Sequence, residues 1–437
     1  MPGRKRLVTF AFSLLVIVVA AAAASASTQH SSSGAAATPS FQLRIGTILP
    51  FTGALSATGP SINAAAQLAV DTINQALTSL GLSSKISVDL VDSQDDQTAT
   101  APAIEAATKE VKIDKVNLIV GTMSSTSTIA VAQAVTIPNK VLLISPTASS
   151  PAITALKAGL GRTRSVYRML PSDNFQGAAL AGAALLAFGK GATVNVGARN
   201  DDFGTALQAV FVKTWKAMGG KVGAQVNWDP NATTFDTEAQ KLAAGNPKGW
   251  VIIDYPETFA KVGPALIRTG NWSPAKTLMT DVMSIPASLA QVGKPATVGL
   301  RGTAPASLAP SNPQVAAFAK LFKAKDSKFP VTGYEGTSFD AVMVAFLAAL
   351  QGHSASPQAM EANLQSVSDP GPGKTVVTYQ NLAHAIKLIL AGKKIKYEGV
   401  FGPVDFDSHG DVGSAVYRYW KYNGTTVSTL KLFNYGG

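Results

Sequence analysis

The 437-residue chain has no cysteine. That excludes disulfides, thiol nucleophiles, cysteine-ligated metals and a lipid-bearing cysteine anchor together. Histidine is nearly as scarce: only His30, His353, His384 and His409 occur, and no two have metal-ligand spacing. Each reads as a solvated residue, so no metal and no cofactor is expected. Charged residues make up only 14% of the chain, and acids are the rarer sign, 26 Asp+Glu against 37 Lys+Arg. Beyond the N-terminus no basic run exceeds two residues. The excess therefore reads as a dispersed solubilising surface, with no nucleic-acid partner expected. Phosphate motifs are missing as well. Gly371-Pro372-Gly373-Lys374-Thr375 looks like the end of a phosphate loop, but the required upstream glycine position is Ser368 and no strand precedes it. It reads as a loop. No G-x-S-x-G nucleophile elbow is present.

What is present begins at the N-terminus. Arg4-Lys5-Arg6 form a charged stretch, Leu7–Ala24 an apolar one, and Ala22–Ser27 a run of small residues suited to cleavage. This predicts a signal peptide over 1–27, an exported protein, and a charge of 34 − 26 = +8 once those three cations are gone. Retention of the apolar stretch as an anchor is the alternative. Either way the chain acts at the periplasmic or extracellular face of the membrane. Residues 28–40 read as a flexible leader.

From Phe41 onward, short apolar runs alternate with amphipathic ones. Strands are expected at Leu43–Leu49, Ile86–Val91, Val116–Val120 and Val141–Ile144. Helices are expected at Ser61–Leu77 (capped by Ser61), Ala101–Lys112 and Ser125–Val135. After a turn-rich break near Tyr167–Pro171 the alternation resumes. It gives helices Gln176–Phe188, Thr205–Ala217 and Phe259–Thr269, with strands Val194–Val196, Trp250–Asp254 and Thr277–Met279. A parallel crossover needs a helix-length connection, so two such series predict two doubly wound parallel-sheet lobes of the α/β class.

Ligands of such sheets bind beyond the carboxyl ends of the strands. After Val116–Val120 comes Gly121-Thr122-Met123-Ser124-Ser125-Thr126-Ser127-Thr128. Its hydroxyls and helix-start N–H groups suit a carboxylate, or merely cap the helix. After Val141–Ile144 comes Ser145-Pro146-Thr147-Ala148-Ser149-Ser150, a second polar loop at the same edge. Asp281 follows Thr277–Met279 and would hold an ammonium group, unless it is only a solvated turn residue.

These strand-end loops resemble those of the leucine/isoleucine/valine-binding protein family, the solute-binding components of amino-acid ABC transporters. The similarity runs from about Leu43 to Leu432. Its marks are the opening Arg44–Gly53 with Pro50 and Gly53, then Leu68–Asn74, Ile119-Val120-Gly121 with Ser124-Ser125, Ile144-Ser145-Pro146 with Ala148, and Gly402–Asp407 followed by Gly410-Asp411. The resemblance implies ligand-binding roles. Ser125 would meet the carboxylate, Thr147 would supply backbone contacts, and the Ser149 hydroxyl would touch carboxylate or ammonium. Asp281 would take the ammonium, Tyr255 would give an aromatic contact, and Phe203 would close over the ligand. Three departures, Thr58 where an aromatic is common, Phe203 without a hydroxyl and an insertion around Pro370–Lys394, put branched-chain specificity in doubt.

The resemblance also implies three crossings near Tyr167, Thr303 and Phe401, forming a three-segment hinge. Lobe one would comprise 41–167 and 304–400, and lobe two 168–303 and 401–437. The expected function is a monomeric, non-enzymatic binder that closes on an amino acid and delivers it to an ABC permease. Alternatives are a binder of an amide, urea or small carboxylic acid, or a sensor presenting solute to a receptor. An exported hydrolase would need a nucleophile–base pair that no context singles out.

Overall fold

The computed structural model describes residues 38–156, 165–306, 313–329, 333–400 and 402–436. The expected signal peptide, the leader up to residue 37 and the crossing residue Phe401 lie outside the described residues. Among the described residues no helix is long and apolar enough to cross a membrane.

Strands β1 (Phe41–Leu49), β2 (Ile86–Asp95), β3 (Leu118–Gly121), β4 (Leu142–Ser145) and β5 (Val166–Arg168) form the first sheet. Its order is β2-β1-β3-β4-β5, and every neighbouring pair is parallel. Helices cover both faces, which is why Leu118–Val120 and Leu142–Ile144 are unbroken apolar runs. Leu43 and Ile45 pack with the helices Gly59–Ser79 and Glu335–Gln351, while Ile48 and Ile119 face Ala103 and Ala107 of the helix Thr100–Lys112. Burying each such Leu or Ile contributes about 1.5–3 kcal/mol. Close approach fixes one residue: a Cβ on Gly46 would stand 2.2 Å from a carboxylate oxygen of buried Glu110.

The second sheet is built from β6 (Thr193–Arg199), β7 (Lys221–Trp228), β8 (Gly249–Ile253), β9 (Thr277–Met279) and β10 (Arg301–Pro305). Strands β11 (Thr375–Val377), β12 (Ile395–Gly399) and β13 (Gly402–Pro403) make a small separate sheet. The hairpin β14 (Ala415–Tyr422) and β15 (Val427–Tyr435) then returns to the second sheet, giving the order β15-β14-β10-β9-β8-β6-β7. Strands β6 to β10 are parallel to their neighbours and repeat the wiring of β1 to β5, while β14 pairs antiparallel with β10 and β15. The molecule thus has two α/β lobes. The chain passes between them after β5, after β10 and before β14.

Several local expectations change. The first helix starts at Gly59, with Pro60 in its first turn and Thr58 at the N-cap. Ser61 does not cap it; its one hydroxyl proton lies within reach of Thr58 O at 2.9 Å and Glu335 Oε1 at 2.7 Å. The expected helix Ser125–Val135 is α-helical only to Val131 and continues as a π turn over Ala132–Thr136. The break near Tyr167 contains the strand β5, which ends on a charged residue, Arg168, that only the structure shows to be buried. The strand Lys221–Trp228 and the helix Asp236–Ala243 add to the second lobe. The helix Glu335–Gln351 is buried along nearly its whole length. Its Asp340 is satisfied by the Tyr397 hydroxyl at 2.6 Å and the Val400 N–H at 2.7 Å.

Candidate functional site

In each lobe the chain leaves the first strand in opposite directions to reach its two neighbours, and a crevice opens at that switch point. In the first lobe the loops after β1, β3 and β4 meet there, and in the second those after β6, β8 and β9. One cleft is lined by Ser125, Thr147 and Ser149 from the first lobe and Phe203, Tyr255 and Asp281 from the second. All six residues expected from sequence therefore come together. Leu55, Met123, Val282 and Tyr334 complete the wall.

The first lobe supplies hydroxyls whose polarity is set by their own partners. Ser124 N-caps the seven-residue helix Ser125–Val131 by accepting from the Ser127 N–H at 3.1 Å. Ser125 Oγ accepts from the Ser149 and Ser150 N–H groups at 3.3 and 3.1 Å. With both lone pairs engaged, what Ser125 has left to offer is its proton. Thr147 and Ser149 are the reverse. Thr147 Oγ1 donates to Met123 O at 2.9 Å, and Ser149 Oγ donates to Asp173 Oδ2 at 3.1 Å. Both therefore present lone pairs.

The second lobe supplies an acid and an aromatic wall. Asp281 opens a one-turn 3-10 helix directly after β9. Its Oδ1 accepts from Gln176 Nε2 at 3.1 Å, and its Oδ2 accepts a short bond from the Tyr334 hydroxyl. Donors on both oxygens fix the carboxylate's orientation. Phe203 and Tyr255 stack with centroids 5.3 Å apart. The Arg199 guanidinium lies 3.8 Å from the Tyr255 ring centroid, a favourable cation–π contact, and is tied to Asp201 at 2.5 Å. Burial pushes Asp254 beside it up to about 8, with Arg199, 3.6 Å away, opposing the rise.

The lobes touch across the cleft. The Asp202 N–H donates to Thr126 Oγ1 at 3.2 Å, and Ser150 Oγ donates to Asp202 O at 2.8 Å. The space left in the cleft for water centres is ≈ 30 Å³, room for about two waters. A larger cavity of ≈ 310 Å³ lies beside the crossings, lined mainly by residues such as Met169, Pro171, Pro305, Pro403 and Val412. No Asp, Glu, Lys, Arg or His is among the described residues of its wall.

Sequence reasoning missed Tyr334, Gln176, Asp173 and Arg168. Asp173 carries an ordinary helix-start signal, since it follows Pro171-Ser172. The structure gives the capping to Ser172, whose Oγ accepts from Asn174 N, and buries Asp173 completely. Arg168 is fully buried and pairs with Asp411 at 2.8 Å, a contact no local pattern could have suggested. Among the described residues no cluster of three or more His, Cys, Asp or Glu could hold a metal ion.

Residues 42–391 match a family model described as periplasmic binding protein. A Leu/Ile/Val-binding protein of Rhizobium johnstonii is 33% identical over 178 residues, 41% of this chain and 45% of that protein. The curated relatives are matched over 45–60% of their own length. Among solved structures, the branched-chain amino acid transporter substrate-binding protein of Streptococcus pneumoniae, in complex with isoleucine, superposes with a TM-score of 0.71. It is 19% identical, over 90% of this chain and 100% of that one. A solute-binding protein of an R. palustris ABC transporter, in complex with benzoate, gives 0.69 at 18% identity, over 91% and 98%. At these identities the structural likeness concerns the fold alone.

Proposed function

The chain belongs to the periplasmic binding protein family, and on that premise we propose that it captures an α-amino acid with an apolar side chain. The two lobes close over the ligand about the three crossings, and the closed form delivers it to an ABC permease outside the cytoplasm. One observation carries the choice of ligand: Asp281 lines the same cleft as Ser125, an oriented acid from one lobe and a hydroxyl with a free proton from the other. The ligand carboxylate takes the Ser125 proton. Its ammonium takes Asp281 and the lone pairs of Ser149. Leu55, Met123, Val282 and the Phe203–Tyr255 stack surround the side chain, and among the described residues no charged group other than Asp281 lines the cleft.

A carboxylic acid without an ammonium group, such as benzoate, would leave Asp281 buried with no cationic ligand partner, which is costly. Because both lobes contribute groups, a ligand binds the closed form better and shifts the population towards it. Calorimetry with L-leucine, with 4-methylpentanoate (the same skeleton without nitrogen) and with benzoate tests this. The expected result is leucine binding, with both acids weaker by about tenfold or more. Acids that bind as tightly as leucine would turn the assignment to a carboxylic-acid carrier.

A further inference from the structure

We infer that Asp173 is a second acid behind this binding site, acting through Ser149 as counter-charge to the ligand's ammonium group that Asp281 meets directly. The inference rests on the amino-acid reading of the cleft. Asp173 is fully buried. It stands one turn ahead of Gln176, which holds Asp281, on the helix Asp173–Phe188. Its Oδ2 accepts from the hydroxyl of Ser149, a cleft-lining residue, while its Oδ1 has no partner.

The cation nearest at hand is already committed. Arg168 pairs with Asp411 at 2.8 Å and donates to the carbonyl oxygens of Ser149 and Ser150 at 2.8 Å each. The other titratable groups that act on Asp173 are Asp281 after β9, Tyr255 ahead of the helix Pro256–Arg268, and Tyr417 on β14. None of these is a cation. Ser172 already caps the helix, accepting from the Asn174 N–H. Burial first, and then the charge of Asp281, pushes Asp173 up to about 8, with Arg168 and the Ser149 hydroxyl opposing the rise.

Near neutrality the empty site therefore keeps a proton on Asp173. An ammonium arriving at Ser149 and Asp281 favours the ionised form, and the proton leaves to solvent as the ligand binds. Ionised Asp173 also fixes the Ser149 hydroxyl as a donor inwards and an acceptor towards the ligand. Asp173 is thus a positioning residue, and it makes affinity for an amino acid rise with pH through the neutral range.

The test is calorimetry of L-leucine with wild type, Asp173→Asn and Ser149→Ala at pH 6 and pH 8. Two buffers of different ionisation heat count the protons released. Wild type is expected to bind on the order of tenfold more tightly at pH 8, with proton release. Asp173→Asn should lose that dependence, and Ser149→Ala should reduce it. Leucine binding that is pH-independent in wild type, or an unchanged pH profile in Asp173→Asn, overturns the inference and leaves the amino-acid reading intact. Wild type that binds none of the twenty amino acids at either pH sinks both. If Asp173→Asn does not fold, the wild-type proton count together with Ser149→Ala decides.

Discussion

The two lobes share one wiring and differ in what they bring to the cleft. Strands β1 to β5 and β6 to β10 are ordered alike, 2-1-3-4-5 in each sheet, so the same loop positions converge at the same kind of crevice. The first lobe fills those positions with small hydroxyl residues, Ser125, Thr147 and Ser149. The second fills them with Phe203, Tyr255 and Asp281. Topology thus fixes where a site forms, and the residues after each strand decide its chemistry. The lobes also differ in extent: the second sheet carries the antiparallel hairpin β14–β15, while the described pairs of the first sheet are all parallel.

The comparison can be broken first where the lobes are joined. Arg168 ends β5, and its partner Asp411 lies just before the hairpin. Arg168→Met leaves a nearly buried carboxylate unpaired and frees two carbonyl oxygens, so it should cost about 3–5 kcal/mol of stability, read by denaturant unfolding. Next come the two poles of the cleft. Asp281→Ala should weaken L-leucine binding by about 2–5 kcal/mol while sparing 4-methylpentanoate. Ser125→Ala should cost less, about 1–3 kcal/mol, and should weaken both ligands alike, because both carry the carboxylate. Calorimetry of the two variants against the two ligands separates the poles. Equal losses for both ligands in Asp281→Ala would remove the proposed division of labour between the lobes.

The smallest effect concerns an acid far from the cleft. Glu110 is buried in the first lobe beside Gly46, and burial first, then Asp92 and Asp114, hold it well above its ordinary value of 4.5. The folded state therefore keeps a proton that the unfolded state releases. Stability from this group is fully present below about pH 4.5 and is lost as the pH rises from there towards its folded value. Glu110→Gln should accordingly show a smaller drop in melting temperature between pH 5 and pH 8 than wild type. An identical drop in both proteins would place the pH dependence of stability elsewhere, for example on Asp173 or Asp254 of the other lobe.

Much of the fold was legible because long helices and buried parallel strands leave periodic signals. Gly59–Ser79, Thr100–Lys112 and the apolar runs at β3 and β4 follow from apolar spacing, with boundaries moving by one or two residues. Strand β5 was hidden because its buried Arg168 reads as a surface residue, and β7 is largely exposed along its first half. The shortened α-helix at Ser125 was not legible either, since nothing in Ala132–Thr136 announces a π turn.

For the site, the sequence by itself determined the residues that directly follow strands. A strand's carboxyl end is a local feature, and Ser125, Thr147, Ser149 and Asp281 sit within a few positions of one. Only the tertiary structure decided which groups stand behind them. Tyr334 reaches Asp281 across 53 positions, Gln176 across 105, and the Ser61–Glu335 bond spans 274. Such partners are chosen by packing between helices and strands remote in the chain. The direction in which a hydroxyl offers its proton, outward at Ser125 and inward at Ser149, depends on the neighbours it has already satisfied, and so it exists only once the two lobes are folded.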